Sequence, residues 1–80
     1  MEPRLVQKLI FDPSKLKQAR LAKFPELSAN KVATEMLGIH RERLWQYENG
    51  NQKPSPTTLA RMCALYGVDL IHLTSLEMAA

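Results

Sequence analysis

Residues 33–50 read ATEMLGIHRERLWQYENG, which is the end of one helix, a tight turn and a whole second helix. Gly38 is the pivot, because a residue that takes φ > 0 without steric cost can end a helix and let the chain turn sharply into the next. Met36 and Leu37 before it, and Ile39 and Leu44 after it, are apolar at the spacing that two crossed helices need to bury them against each other. At about 100° per residue from Arg41 onward, Leu44, Tyr47 and Glu48 fall on one side while Glu42, Gln46 and Asn49 fall on the other. Arg41, Arg43 and Trp45 flank that outer face. An arginine, an amide and a carboxylate on one exposed helix face are the donors and acceptors that base edges in a major groove require. Asn49 and Gly50 supply the helix stop.

Around this stretch the composition sets limits. Eighty residues with 45% apolar content fill one small core and no more. No apolar run reaches the roughly 20 residues that span a bilayer, and MEPRLVQKLIF at the start lacks a cleavable signal pattern, so the expectation is a cytoplasmic chain without a membrane partner. The single cysteine, Cys63, excludes an internal disulfide and fits a reducing compartment. Cys63, His40 and His72 lie far apart with no paired-ligand spacing, so no metal and no cofactor is expected. The net charge of +3 favours a polyanionic partner, but an excess this small decides nothing alone.

GIHRERLWQYENG followed by PSPTTLARMCALYGV resembles the Cro/C1-type (XRE-like) helix-turn-helix family of phage repressors and plasmid or bacterial regulators. In that family the second motif helix commonly ends in E-N-G before a P-S-x-x-T-L run. The resemblance covers roughly residues 12–73. It implies an all-α fold, a lambda-repressor-like compact bundle of about five helices, as residues 12–80, with residues 1–11 as an arm or short extra element. It also implies that Arg20 in the first helix pairs with Glu48 of E-N-G, a structural tie between that helix and the reading helix. Arg41, Glu42 and Gln46 take the slots that most often reach base edges, and Arg43 lies toward the flanking DNA backbone. Counting back from Gly38, Asn30 takes the slot of a phosphate-contacting glutamine and Thr34 that of a small alanine at the helix crossing. Thr34 then needs a partner for its hydroxyl, for instance a carbonyl one turn back. The connection before this helix is a few residues longer than the family's usual one.

In the first eleven residues Leu5, Val6, Leu9, Ile10 and Phe11 fit a short helix, a strand or an arm equally. Asp12-Pro13 starts a helix, with Leu16, Ala19 and Leu21 inward and Lys15, Lys17 and Lys23 in solvent. Phe24-Pro25-Glu26 breaks that helix and Ser28 caps the next. His40 opens the reading helix, residues 40–49, and fits either its own helix backbone or a DNA phosphate. Trp45 fits either a contact with sugar or a thymine methyl, or packing over a neighbouring helix or a dimer partner. NGNQKPSP, residues 49–56, is a loop whose backbone N–H groups and Lys53, with Asn49, are in the family's phosphate-gripping position. Ser55 and Pro56 begin a helix with Leu59, Met62, Cys63 and Tyr66 inward, and Gly67 ends it. Cys63, with no neighbouring cation, is a small core hydrophobe. Asp69 is expected to cap a last helix carrying Leu70, Ile71, Leu73, Leu76 and Met78, which the resemblance implies is a homodimer element and which otherwise simply closes the core.

The functional expectation is a sequence-specific transcriptional regulator, a repressor, that binds double-stranded DNA and needs no small-molecule ligand. The alternative is a protein-interaction module on the same fold, such as an antitoxin or a polymerase-binding factor. An enzyme has no support, since no nucleophile sits beside a base and no glycine-rich phosphate loop occurs.

Overall fold

A computed structural model describes residues 6–79. In chain order these form strand β1 (Val6–Phe11), helix α1 (Pro13–Lys23), helix α2 (Ala29–Lys31) continuing into a π-helical segment (Val32–Leu37), helix α3 (Arg41–Glu48), helix α4 (Pro56–Tyr66), a 3-10 turn (Leu70–Leu73) and strand β2 (Thr74–Ala79). The described residues thus form four helices, the second and third of which make the helix-turn-helix, with a small two-stranded sheet in place of a fifth helix.

The helices begin where short polar side chains meet free backbone donors. Asp12 caps α1 by accepting from the Ser14 N–H at 3.0 Å, Ser28 caps α2 by accepting from Lys31 at 3.2 Å, and Ser55 caps α4 by accepting from Thr58 at 3.2 Å. Pro13 and Pro56 sit just inside their helices, where no hydrogen bond is lost. Gly38 takes φ 68°, the left-handed conformation that a side chain with a Cβ resists, and so ends the first motif helix. Leu16, Ala19, Val32, Ala33, Leu37, Leu44, Tyr47, Met62, Tyr66 and Leu73 close into one core. Leu59 and Cys63 pack against its margin, where burial pushes the Cys63 thiol up in pKa and keeps it protonated.

Three expectations are corrected here. Leu21 is exposed, because α1 turns Leu16, Ala19 and the Arg20 side chain toward the core and Leu21 away from it. Met36 is likewise exposed while Leu37 is buried. The expected last helix is absent: Asp69 makes no side-chain cap, Leu70–Leu73 form a single 3-10 turn, and Thr74–Ala79 is a strand. A helix of about ten residues gains little by itself, and β1 offers a backbone ladder instead. The two strands run antiparallel with Phe11 opposite Thr74 and Leu9 opposite Leu76.

The base of this ribbon is fastened to α1. The Asp12 N–H donates to the Leu73 carbonyl at 2.9 Å, the Lys15 ammonium donates to the Thr74 carbonyl at 2.8 Å, and the Ser75 hydroxyl donates to the second oxygen of the Asp12 carboxylate. Lys15 is therefore half-buried at the ribbon and not a free surface cation. Asp12 serves two elements at once. The Ser75 hydrogen bond first, and then those from Ser14, hold its carboxyl below its ordinary 3.8. A carboxyl whose pKa is lowered by folding adds stability above its unfolded value and loses it as pH falls through the folded one. Asp12→Ala is expected to cost about 1 kcal/mol at neutral pH, the usual worth of such a cap. In urea melts the gap from wild type should shrink once the solution is acidified below 3.8, and a gap that is independent of pH would show that the carboxylate charge plays no part.

Candidate nucleic-acid interface

The orientation of α3 is set from behind by an ion pair. Arg20 of α1 donates through Nε to Glu48 Oε2 at 2.6 Å and through Nη2 to Oε1 at 3.1 Å, a side-on fork with both side chains 6% exposed. Leu44 and Tyr47 lie on the same inward side of α3. With one face of an eight-residue helix held this way, the opposite face must point outward.

A second tie fixes the turn. Arg61 of α4 donates through Nη2 to the Leu37 carbonyl at 2.7 Å, satisfying an acceptor that the end of a helix leaves free and placing a cation at the negative end of its dipole. No residue pattern points to this role, since Arg61 sits among helix-surface residues and its partner is a backbone atom.

Between these ties the π-helical segment changes the register. In a π-turn the repeat is i to i+5, and the residues buried at the crossing are Val32, Ala33 and Leu37. The small residue that lets the helices approach is therefore Ala33, fully buried, and not Thr34, which is exposed. Thr34 donates its hydroxyl to the Asn30 carbonyl at 2.8 Å. A count back from Gly38 on an α-helical repeat is out of register here, because this turn absorbs an extra residue. Counted from the Ser28 cap, the first helical position is Ala29, and Asn30 follows it. Asn30 remains exposed beside α3, and together with Ala29 it lines the same cleft as Arg41.

On the outer side of α3, Arg41, Glu42 and Arg43 are exposed and Gln46 is half-buried. Two depressions flank the helix. One, about 370 Å³, is lined by His40, Glu42, Arg43 and Gln46. The other, about 540 Å³, lies toward α2 and is lined by Ala29, Asn30, His40, Arg41, Glu42 and Trp45. His40 Nδ1 accepts from the Glu42 N–H at 3.2 Å and so caps α3. That bond places the proton of neutral imidazole on Nε2, leaving an exposed N–H donor at the start of the helix. Arginine, glutamine and glutamate on one face offer bidentate donation to guanine, paired bonds to adenine and acceptance from a cytosine amino group.

At the far end of α3 the backbone turns back on itself. The N–H groups of Asn49, Gly50, Asn51 and Gln52 all donate to α3 carbonyls, and the Asn49 side-chain amide donates to the Trp45 carbonyl at 2.8 Å. These four backbone donors are used inside the protein, so the first half of the 49–56 loop has none to offer a phosphate. Lys53 is exposed there. Among the described residues no group of three His, Cys, Asp or Glu is placed to hold a metal ion, and no helix is long and apolar enough to cross a membrane.

A family model described as a helix-turn-helix domain matches residues 14–76. No curated protein and no solved structure matches the chain.

The ion pair yields a direct test. Stripping one partner leaves a charge buried alone, so Glu48→Ala is expected to cost about 3–5 kcal/mol, whereas the double variant Arg20→Met, Glu48→Leu should recover most of that loss. Urea unfolding of wild type, single and double variants measures both, and additive losses in the double variant would overturn the account.

Proposed function

From the premise that the chain belongs to the XRE/Cro-like helix-turn-helix family and is in general terms a DNA-binding regulator, we propose that it is a sequence-specific repressor that works in the cytoplasm by occupying an operator. The observation that carries this reading is the outward face of α3, where Arg41 and Glu42 are exposed with Gln46 beside them, while the inward face is locked by Glu48 and Arg20. The proposal assigns the chain no catalytic step and no cofactor.

In this reading α3 enters the major groove and Arg41, Glu42 and Gln46 meet base edges. Arg43, the His40 Nε2–H, Asn30 and Lys53 approach phosphates on either side, and such contacts fix register without selecting sequence. Asn49 stays a helix-end clasp, its amide already committed to the Trp45 carbonyl. Glu42 is selective in a negative sense, because a carboxylate against a phosphate or a guanine oxygen is repelled while a cytosine amino group is welcome.

The protein is proposed to act as a homodimer, since a two-fold pair would set two reading helices about 34 Å apart, one turn of DNA. The surface for that pair is not a terminal helix. It is the ribbon side of the molecule, where Ile71 and Leu76 are more than half exposed and the two-stranded sheet leaves strand edges open.

Selection of bound sequences from random duplexes, followed by affinity measurement over a range of salt, tests the DNA reading. Arg41→Ala should lose about 1–3 kcal/mol of discrimination at one base pair only, and Lys53→Ala should weaken all sequences alike and flatten the salt slope by about one. Uniform loss in both variants would refute the division of labour, and absence of salt-dependent binding would leave the protein-interaction module as the better account. For the dimer, light scattering of wild type against Ile71→Lys and Leu76→Lys should show a dimer becoming a monomer; a monomeric wild type at micromolar concentration that also binds a single half-site would remove this part.

A further inference from the structure

Trp45 is the only tryptophan in the chain, and it is 56% exposed on α3 with no place in the apolar core. A side chain of this size left in water forgoes a large burial gain, so its position calls for an occupant that arrives from outside. Its neighbours narrow the choice. Trp45 lines the roughly 540 Å³ cleft between the start of α2 and α3, together with Ala29 and Asn30 from α2 and His40, Arg41 and Glu42 from the start of α3. On the helical wheel Trp45 lies to the α2 side of Glu42 and Gln46, one turn after Arg41. It thus flanks the base-reading face instead of sharing its centre.

Resting on the DNA reading above, we infer that this cleft takes one sugar–phosphate strand of the duplex, with the Trp45 indole lying against deoxyribose carbons next to the base pair that Arg41 reads. Arg41 lines the cleft, Asn30 adds an amide donor and Lys31 is exposed on α2, the donors a polyanionic strand needs; Glu42 also lines it, and its carboxylate repels phosphate, so the strand is held by the first three groups while Glu42 is left to the base edges. The apolar part of the cleft, Ala29 and the indole, suits the carbons of the sugar, while the indole N–H is a donor with a phosphate oxygen as its natural partner. A flanking contact of this kind contributes affinity without reading sequence, as the other backbone contacts do. It also explains why a residue that does nothing for the fold stands on the reading helix.

Because Trp45 is the sole indole, its fluorescence reports on its own environment. Titrating a selected duplex into the wild-type protein should change its emission in step with the anisotropy of labelled DNA. Trp45→Ala should fold normally by circular dichroism and lose affinity about tenfold, in the range seen when an aromatic contact to nucleic acid is removed. The loss should be equal on preferred and scrambled duplexes, and Trp45→Phe should recover part of it. Replacing thymine by deoxyuridine throughout the site should leave the wild-type to Trp45→Ala ratio unchanged; a ratio that collapses would assign Trp45 to a thymine methyl and overturn the sugar contact. Labelled DNA that binds with no change in indole emission and with full affinity in Trp45→Ala would overturn it too, as would a Trp45→Ala chain whose oligomeric state differs from wild type. If no duplex binds wild type at any salt concentration, it is the regulator reading that falls, and the two failures are told apart by the wild-type anisotropy alone.

Discussion

The fork between Arg20 and Glu48 is the constraint on which the remaining geometry depends. Two opposite charges withdrawn from water are costly to bury, and they are tolerated because the planar guanidinium meets the carboxylate with two bonds, at 2.6 and 3.1 Å. The geometry leaves little freedom. Moving α3 by a fraction of a turn would separate the fork and strand both charges, so the helix has one orientation relative to α1. Leu44 and Tyr47 add apolar contact on the same side, but apolar packing alone tolerates slippage better than a directional bond does. Buried charge is a poor source of net stability here and a good source of uniqueness.

The other tie, from Arg61 to the Leu37 carbonyl, acts on the turn instead of the helix. Together the two arginines hold α3 from behind and fix its point of entry. The π-turn lies between them, and it reconciles a long connection after α1 with a standard crossing at Gly38 by absorbing one residue where Ala33 meets the facing helix. The hydroxyl of Thr34, displaced to the outside by that extra residue, is satisfied within its own helix.

What the sequence made legible follows from how local the signals are. Caps at Asp12, Ser28 and Ser55, the stops at Gly38 and Gly67 and the span of α3 are set by residues within a turn of each other, and a single chain displays them. The Arg20–Glu48 pair spans 28 residues and was readable only through the E-N-G resemblance. Three features stayed hidden for physical reasons. The π-turn is a change of hydrogen-bond repeat over ordinary helix-forming residues, so no residue type announces it. Arg61 bonds to a backbone atom, which has no residue type to recognise. Residues 74–79 carry an apolar spacing compatible with a helix, and only β1, distant in sequence but paired with them in the fold, makes a strand the better use of their backbone. The roles proposed for Arg41, Glu42, Gln46 and Lys53 toward DNA come from position and chemistry, and the structure contributes the face on which the first three stand.

The ribbon has a consequence for the order in which the molecule assembles. Its strands come from opposite ends of the described chain, and its anchors join residues 59 and 63 positions apart. Closing so long a loop is an entropic expense recovered only once both ends are already near each other. The helices, built from short-range contacts, must therefore gather first and bring Asp12 and Leu73 together, after which the strands zip outward from that junction. The tip of the ribbon is accordingly the last part to form and the first to fray, and slow exchange of amide hydrogens should be graded along it from Phe11 toward Val6.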